Sequence, residues 1–208
     1  MLSGVADLLV PRYCAGCRAP TGTWSVLCPR CRTLLQRPPE RVFPKVAVPV
    51  PVFALGPYAD AHRGVILSMK ERNHLAVRRH VGAVLAAALE FLQVRGDIAR
   101  IDALVPAPTR PSNARARGGD PVRAVCAASG HPTVPALWLA GATADQAELD
   151  AAGRRANLAG AVRMGATPEG NVVVVDDVVT TGATLEASVA VLLARGVRVV
   201  GCVTLAEA

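Results

Sequence analysis

Residues Val172 to Thr184 read VVVVDDVVTTGAT, and this run decides the fold class. Four consecutive valines lack the alternation of a half-exposed strand and match a strand buried on both faces. Asp176 and Asp177 are expected to end that strand at the C-terminal edge of a sheet, where open α/β folds bind their ligands. Val178 and Val179 then anchor a turn, and Thr180, Thr181, Gly182, Ala183 and Thr184 lead into a helix predicted from about Thr184 to Arg195. Unpaired amides at the start of that helix, with the hydroxyls around them, make an anion cradle, and Gly182 lets the backbone approach a phosphate closely. Two carboxylates beside such a cradle suit a sugar phosphate: they accept hydrogen bonds from ribose hydroxyls and offer oxygen ligands to Mg2+. The plainer reading of the same residues is a buried strand followed by a hydrophilic turn.

Working outward, Gly196 closes the helix and Val197 to Thr204 forms a second apolar strand, so strand, helix and strand make a parallel unit. Upstream, Ile101 to Val105 is a buried-strand candidate stopped by Pro106, and Pro106 to Gly119 is a loop rich in Arg, Pro and Gly. Asp120-Pro121 is an N-cap followed by proline at the first helical position, opening a helix to about Ser129. Val134 to Leu139 is a weaker strand, and Ala142 to Gly160 is polar and Arg-bearing. Ala61 to Arg72 and Leu75 to Val94 read as helices, the second ended by Gly96, and Val46 to Tyr58 as extended edge structure. The expected architecture is α/β, a doubly wound parallel sheet. Pro38-Pro39 divides it into a module of residues 1–37 and a domain of residues 38–208.

The 208 residues are 51% hydrophobic but only 3% aromatic, which excludes disorder and favours close packing of small side chains. The net charge of +7, nearly all from Arg, suits an anionic partner: a phosphorylated metabolite, a nucleic acid or both. It is equally what compositional bias and solvated surface would produce. Asp7 and the lack of an N-terminal basic stretch argue against a secretory leader, and Val81 to Val94 is interrupted by Glu90 and short for a bilayer. A soluble, cytoplasmic protein without membrane insertion is expected.

Four of the six cysteines form two CxxC pairs, Cys14 with Cys17 and Cys28 with Cys31. Each pair presents two thiolates from a tight turn, and two pairs complete a closed tetrahedral site, read here as structural Zn2+ in a small ribbon. Free thiols, a redox-active pair and an iron–sulfur cluster are the alternatives. The short gap between the pairs leaves room for a hairpin around Thr21 to Ser25. Metal would supply folding energy that so short a segment cannot draw from a core. Cys126 and Cys202 read as core. His62, His74, His80 and His131 show no paired ligand spacing and read as surface or satisfied polar groups.

The run Val172 to Thr184 resembles the signature of phosphoribosyltransferases of the type I kind: four apolar residues, two acids, two apolar residues and a Thr/Gly turn. That resemblance implies that Asp176 and Asp177 hold the ribose diol of 5-phosphoribosyl-1-pyrophosphate, that Thr180 to Thr184 hold its 5-phosphate, and that Mg2+ accompanies it. Asp102 to Pro108, DALVPAP, resembles the "VPxP" strand and turn of the ComF family of competence-associated proteins, with Arg115, Arg117 and Gly118 following at similar spacing. Gln146, Leu149, Arg154, Asn157, Gly160 and Ala161 resemble a further stretch of that family, Lys70 resembles its "LK" motif, and the cysteine pairs belong to the same pattern. Gly118-Gly119-Asp120-Pro121 departs from the family's G-F-N-Q, so roles of the Asn and Gln side chains do not carry over. The resemblance implies that the loop from Pro108 to Gly118, with Arg110, Arg115 and Arg117, meets the pyrophosphate. It also implies that Thr143 to Gly160 closes over the substrate, with Arg154 its best contact. Solvated loop charge is the competing reading of each Arg.

Two functions follow from these features. One is phosphoribosyl transfer to an acceptor that the sequence does not identify, because in this fold base specificity comes from variable peripheral segments. The other is a non-catalytic accessory role in DNA uptake, binding single-stranded DNA and using the site to sense a ligand. The low aromatic content counts against extensive base stacking.

Overall fold

The computed structural model describes residues 12–22, 25–71, 75–109, 119–140 and 161–208. Strand β1 (Arg12–Tyr13) pairs antiparallel with β2 (Pro20–Thr21), and helix α1 (Pro29–Leu35) follows. The hairpin frames the first cysteine pair instead of spanning the gap between the pairs. Thr21 and Gly22 meet Ser25, with the Ser25 N–H donating to the Gly22 carbonyl and the Thr21 hydroxyl to the Ser25 carbonyl. The second pair opens α1: Cys28 is its N-cap and Pro29 its first residue.

The main sheet has five strands in the order β3-β4-β9-β8-β5: β3 (Glu40–Val42), β4 (Val52–Ala54), β5 (Ala103–Pro106), β8 (Asn171–Val179) and β9 (Arg198–Glu207). All neighbours are parallel except the edge strand β3, which runs antiparallel to β4. Much of the stretch read as edge structure is therefore not strand at all, since its prolines withhold ladder donors, and β4 itself lies inside the sheet against β9. The valine run splits by parity. Val173 and Val175 join the core formed with helices α2 (Asp60–Glu71), α3 (Leu75–Val94) and α4 (Pro121–Ala128); Val172 and Val174 join that formed with α5 (Ala183–Ala194). Both faces are covered, which is why no polar residue interrupts the run.

Strand β8 does not end at the acids. Val178 and Val179 stay in register with Ala206 and Glu207 of β9, so Asp176 and Asp177 lie inside a paired strand and are half-buried. The expectation that the acids end the strand is corrected for that reason: β9 outruns the valine run and supplies partners. The weaker strand also changes place. β6 (Leu137–Leu139) leaves the main sheet and pairs with β7 (Val162–Met164), flanking residues 141–160, which lie outside the described residues. Asp120 caps α4 as expected, accepting from the Val122 and Arg123 amides at 2.9 and 3.2 Å. Cys126 and Cys202 are fully buried.

The cysteine module shares this core. Cys14, Ala15, Leu27, Cys31 and Leu35 belong to the same buried cluster as Val65, Ile66 and Met69 of α2. Contact is backbone to backbone, because a Cβ on Gly64 of α2 would collide with the Gly16 carbonyl. Gly64→Ala is accordingly expected to destabilise the protein by about 1–3 kcal/mol. Urea denaturation followed by circular dichroism checks this; an unchanged midpoint would show that the two backbones can part without cost.

Candidate functional site

The site begins where the sheet ends. From β8, Val179 is buried, Thr180 and Thr181 are exposed, and the chain enters α5 through Gly182. Gly182 is left-handed (φ 87°), a conformation that disfavours any side chain, and a Cβ there would also strike Pro44. The segment before β4 buttresses the turn, with the Val46 N–H donating to the Thr181 carbonyl at 2.8 Å. Among the described residues no side chain caps α5. Its first amides, with the Thr180 and Thr181 hydroxyls near, are thus free to meet an anion; the Thr181 hydroxyl reaches only the Ala183 amide, at 3.4 Å. Ala183 is buried and Thr184 half-buried behind the turn.

Two carboxylates stand at the same edge. Burial and the neighbouring Asp177 charge push the Asp176 carboxyl up to about 8, against the opposing pull of the Asp177 amide and the Lys70 ammonium. The Asp177 amide donates to Asp176 Oδ1 at 2.8 Å. Lys70, near the end of α2, sits 2.5 Å from Asp177 Oδ2. Sequence reasoning met Lys70 only as part of a family-like motif; which carboxylate it meets is decided by how α2 crosses the sheet. The pair is short of positive charge even with Lys70 present, and its oxygens are the hard donors that Mg2+ takes. Asp176 and Asp177 would hold such an ion.

The other sequence-predicted residues divide. Arg110, Arg115, Arg117 and Arg154 lie outside the described residues, as do Gln146, Leu149, Asn157, Gly160 and His74. The departure at Gly119-Asp120-Pro121 has a structural consequence: the Asp120 carboxylate occupies the amides at the start of α4, so that helix end does not offer them to a phosphate.

In the cysteine module, the Sγ atoms of Cys14, Cys17, Cys28 and Cys31 all lie within 4.8 Å of one another. Cys17 and Cys28 are 3.7 Å apart, against about 3.8 Å between sulfurs on a tetrahedral Zn2+ at its usual bond length. Amides already point at the sulfurs, from Cys28 to Cys14 at 3.3 Å and from Cys31 to Cys28 at 3.5 Å. Burial alone would raise the Cys14 thiol, but these bonds from Cys28, Cys17 and Gly16 outweigh it and bring it down to about 6. Burial and the adjacent sulfurs raise Cys31. Four crowded sulfurs, one favoured as thiolate, fit Zn2+.

His62 was missed by pattern reading. It is not a surface group: it is only 5% exposed, and its Nε2 has no hydrogen-bond partner among the described residues. A single histidine carries no spacing signal, so only the tertiary structure could single it out.

Comparison with known proteins bears on part of the chain. Residues 147–208 match the family model of the phosphoribosyl transferase domain, a range that includes β7, β8, α5 and β9. No curated protein matches the chain. Among solved structures, that of Leishmania donovani UMP synthase is similar over 86% of this chain, at 16% identity and a TM-score of 0.38. The chain spans 31% of that structure's length.

Two outcomes test the site. Cys28→Ser should abolish stoichiometric zinc, measured by mass spectrometry of the purified protein; full occupancy in that variant would remove the assignment. Asp176→Asn should stabilise the unliganded protein. A carboxyl raised when folded holds its proton while the unfolded chain ionises, so stability is lost from about pH 4 up to about pH 8. The variant should therefore melt a few degrees higher than wild type at pH 8 and level with it at pH 4. Equal melting at both would show that the carboxyl is not strained.

Proposed function

We propose that the chain binds 5-phosphoribosyl-1-pyrophosphate with Mg2+ and transfers its phosphoribosyl group to an acceptor. One observation carries this: two adjacent carboxylates stand beside an uncapped helix start, within the segment that matches the phosphoribosyl transferase domain. In this reading Asp176 and Asp177 accept hydrogen bonds from the ribose hydroxyls. Thr180, Thr181, Gly182, Ala183 and Thr184 hold the 5-phosphate, with Val178 and Val179 positioning the turn. Bound Mg2+ supplies charge neutralisation at the pyrophosphate. Lys70 balances Asp177 before the ligand arrives. Arg110, Arg115, Arg117 and Arg154 are proposed to reach the pyrophosphate from the two loops. The acceptor's lone pair attacks C1′, the C1′–O bond breaks, and its electron pair leaves with pyrophosphate. The acceptor's proton passes to solvent.

The finer assignments belong to the same proposal. Pro38-Pro39 divides a zinc module of residues 1–37 from a transferase-like domain of residues 38–208, the chain is read as cytoplasmic, and the ComF resemblance links it to DNA uptake. Among the described residues no helix is long and apolar enough to cross a membrane. The net charge of +7 favours the second reading, an accessory protein for single-stranded DNA; such binding would weaken steeply with salt.

Titration calorimetry with phosphoribosyl pyrophosphate and Mg2+ tests the main reading. Replacing both acids by Ala should weaken binding by about 2–4 kcal/mol, on the scale of charged hydrogen bonds to a ligand. Thr181→Ala should cost less, since backbone amides still face the phosphate. Unchanged affinity in the double variant, with its fold verified, would overturn the proposal.

A further inference from the structure

Helices α1 and α3 share one core, but the gap between them is not filled. A cavity of about 370 Å3 opens there, bounded by α1, Pro38-Pro39 and one face of α3. That is the size of a small-molecule site. From α3 it is lined by His80, Ala83, Val84, Ala87, Ala88 and Phe91, the spacing of a single helix face. Leu27, Leu35 and Ala88 are buried and form its floor. Ala83 and Ala87 are exposed, and side chains so short leave the gap open.

The charges around this floor are of one sign. Arg32 and Arg37 line the cavity, with Gln36 and His80, and among the described residues no carboxylate does. Both arginines are exposed, so their charge stays solvated at the rim while the apolar floor lies between the helices. An occupant that covers this lining must offer apolar surface to the floor and negative charge to the rim. A sugar phosphate would meet the arginines and leave the floor in water.

Shape narrows the choice. The lined face runs from His80 to Phe91, roughly 16 Å of helix at about 1.5 Å per residue. That is close to the length of an extended chain of about twelve carbons. A cavity of about 370 Å3 has room for such a chain, whereas an α-helix of that length, about 10 Å across, would fill on the order of 1,000 Å3. We propose that this cavity binds an unbranched fatty acid, its alkyl chain along the α3 face over Leu27 and Leu35 and its carboxylate on Arg32 and Arg37. Each arginine presents the planar fork that suits a carboxylate. None of these residues belongs to the phosphate turn, so the site stands apart from the transferase reading. Leu27 and Arg32 adjoin Cys28 and Cys31, so a bound chain also ties the second cysteine turn to α3.

The probe is dodecanoate, kept below its micelle concentration and added to the full chain as purified. Hexanoate, with a shorter chain, and dodecylammonium, with the opposite charge, are the controls. Titration calorimetry should show one dodecanoate per chain, with each control at least tenfold weaker. Ala87→Phe, at an exposed position, should fill the cavity and lower dodecanoate affinity by tenfold or more. Arg32→Gln combined with Arg37→Gln should erase the preference for dodecanoate over dodecylammonium. Absence of dodecanoate binding, equal binding of dodecylammonium to wild type, or full affinity in folded Ala87→Phe would each overturn the proposal. Sedimentation covers the other occupant: a wild-type dimer that Ala87→Phe dissociates, without dodecanoate binding, would assign the cavity to a second copy of the chain. If Ala87→Phe fails to fold, the wild-type controls and the arginine variant decide the matter.

Discussion

Charge can enter a sheet covered on both faces only where a strand leaves its cover, and in this protein that constraint falls on β8. Its valines are divided between two cores, so each must be apolar and small enough for helices to approach from either side. The first two carboxylates come as the cover ends, yet the strand stays paired through Val179. Asp176 is therefore solvated too little to ionise freely, and both acids are exposed enough to meet a ligand. The raised Asp176 and the close Lys70–Asp177 pair are two expressions of that halfway position. A cation or a set of hydroxyls arriving there would relieve a cost the fold already carries.

Helix α2 ties the two ends of the molecule together. Gly64 lets it rest directly on the first cysteine turn, and Lys70, less than two turns on, meets Asp177. The cysteine module is thus continuous with the core and not merely strung to it. Its buried residues share a cluster with α2 and α3, so metal that orders the sulfurs also orders the surface on which α2 lies.

Along one edge of the sheet the protein keeps two environments of opposite appetite. At the turn from Thr180 to Gly182, the start of α5 has no capping side chain among the described residues, which favours anions. One strand pair away, Glu40, Asp60 and Glu207 outnumber the one cation, Arg37, among the described residues that line a cavity. Asp120 sharpens the contrast, since it satisfies the start of α4 internally and leaves the start of α5 as the uncapped helix end beside the acids.

What could be read before folding was whatever is local. An unbroken β-branched run needs cover on both faces, Asp120-Pro121 starts a helix by its own hydrogen bonds, Gly182 takes the backbone angles that the turn demands, and two CxxC pairs gather their sulfurs within short turns. These features depend on neighbours a few residues away, so pattern reached them. The remaining features depend on chain segments far apart. That the acids lie inside a paired strand required knowing how far β9 runs. That Lys70 faces Asp177 required the crossing of α2 over the sheet, a contact between residues 70 and 177 that no periodicity encodes. His62 is the clearest case. As one histidine among four it has no pattern, and only the closing of α1, β4 and α2 around it buries the ring, lowers its pKa by desolvation and leaves one nitrogen without a partner among the described residues. Desolvation is a property of the packed chain, and so the chemistry that desolvation creates was decided by the tertiary structure alone.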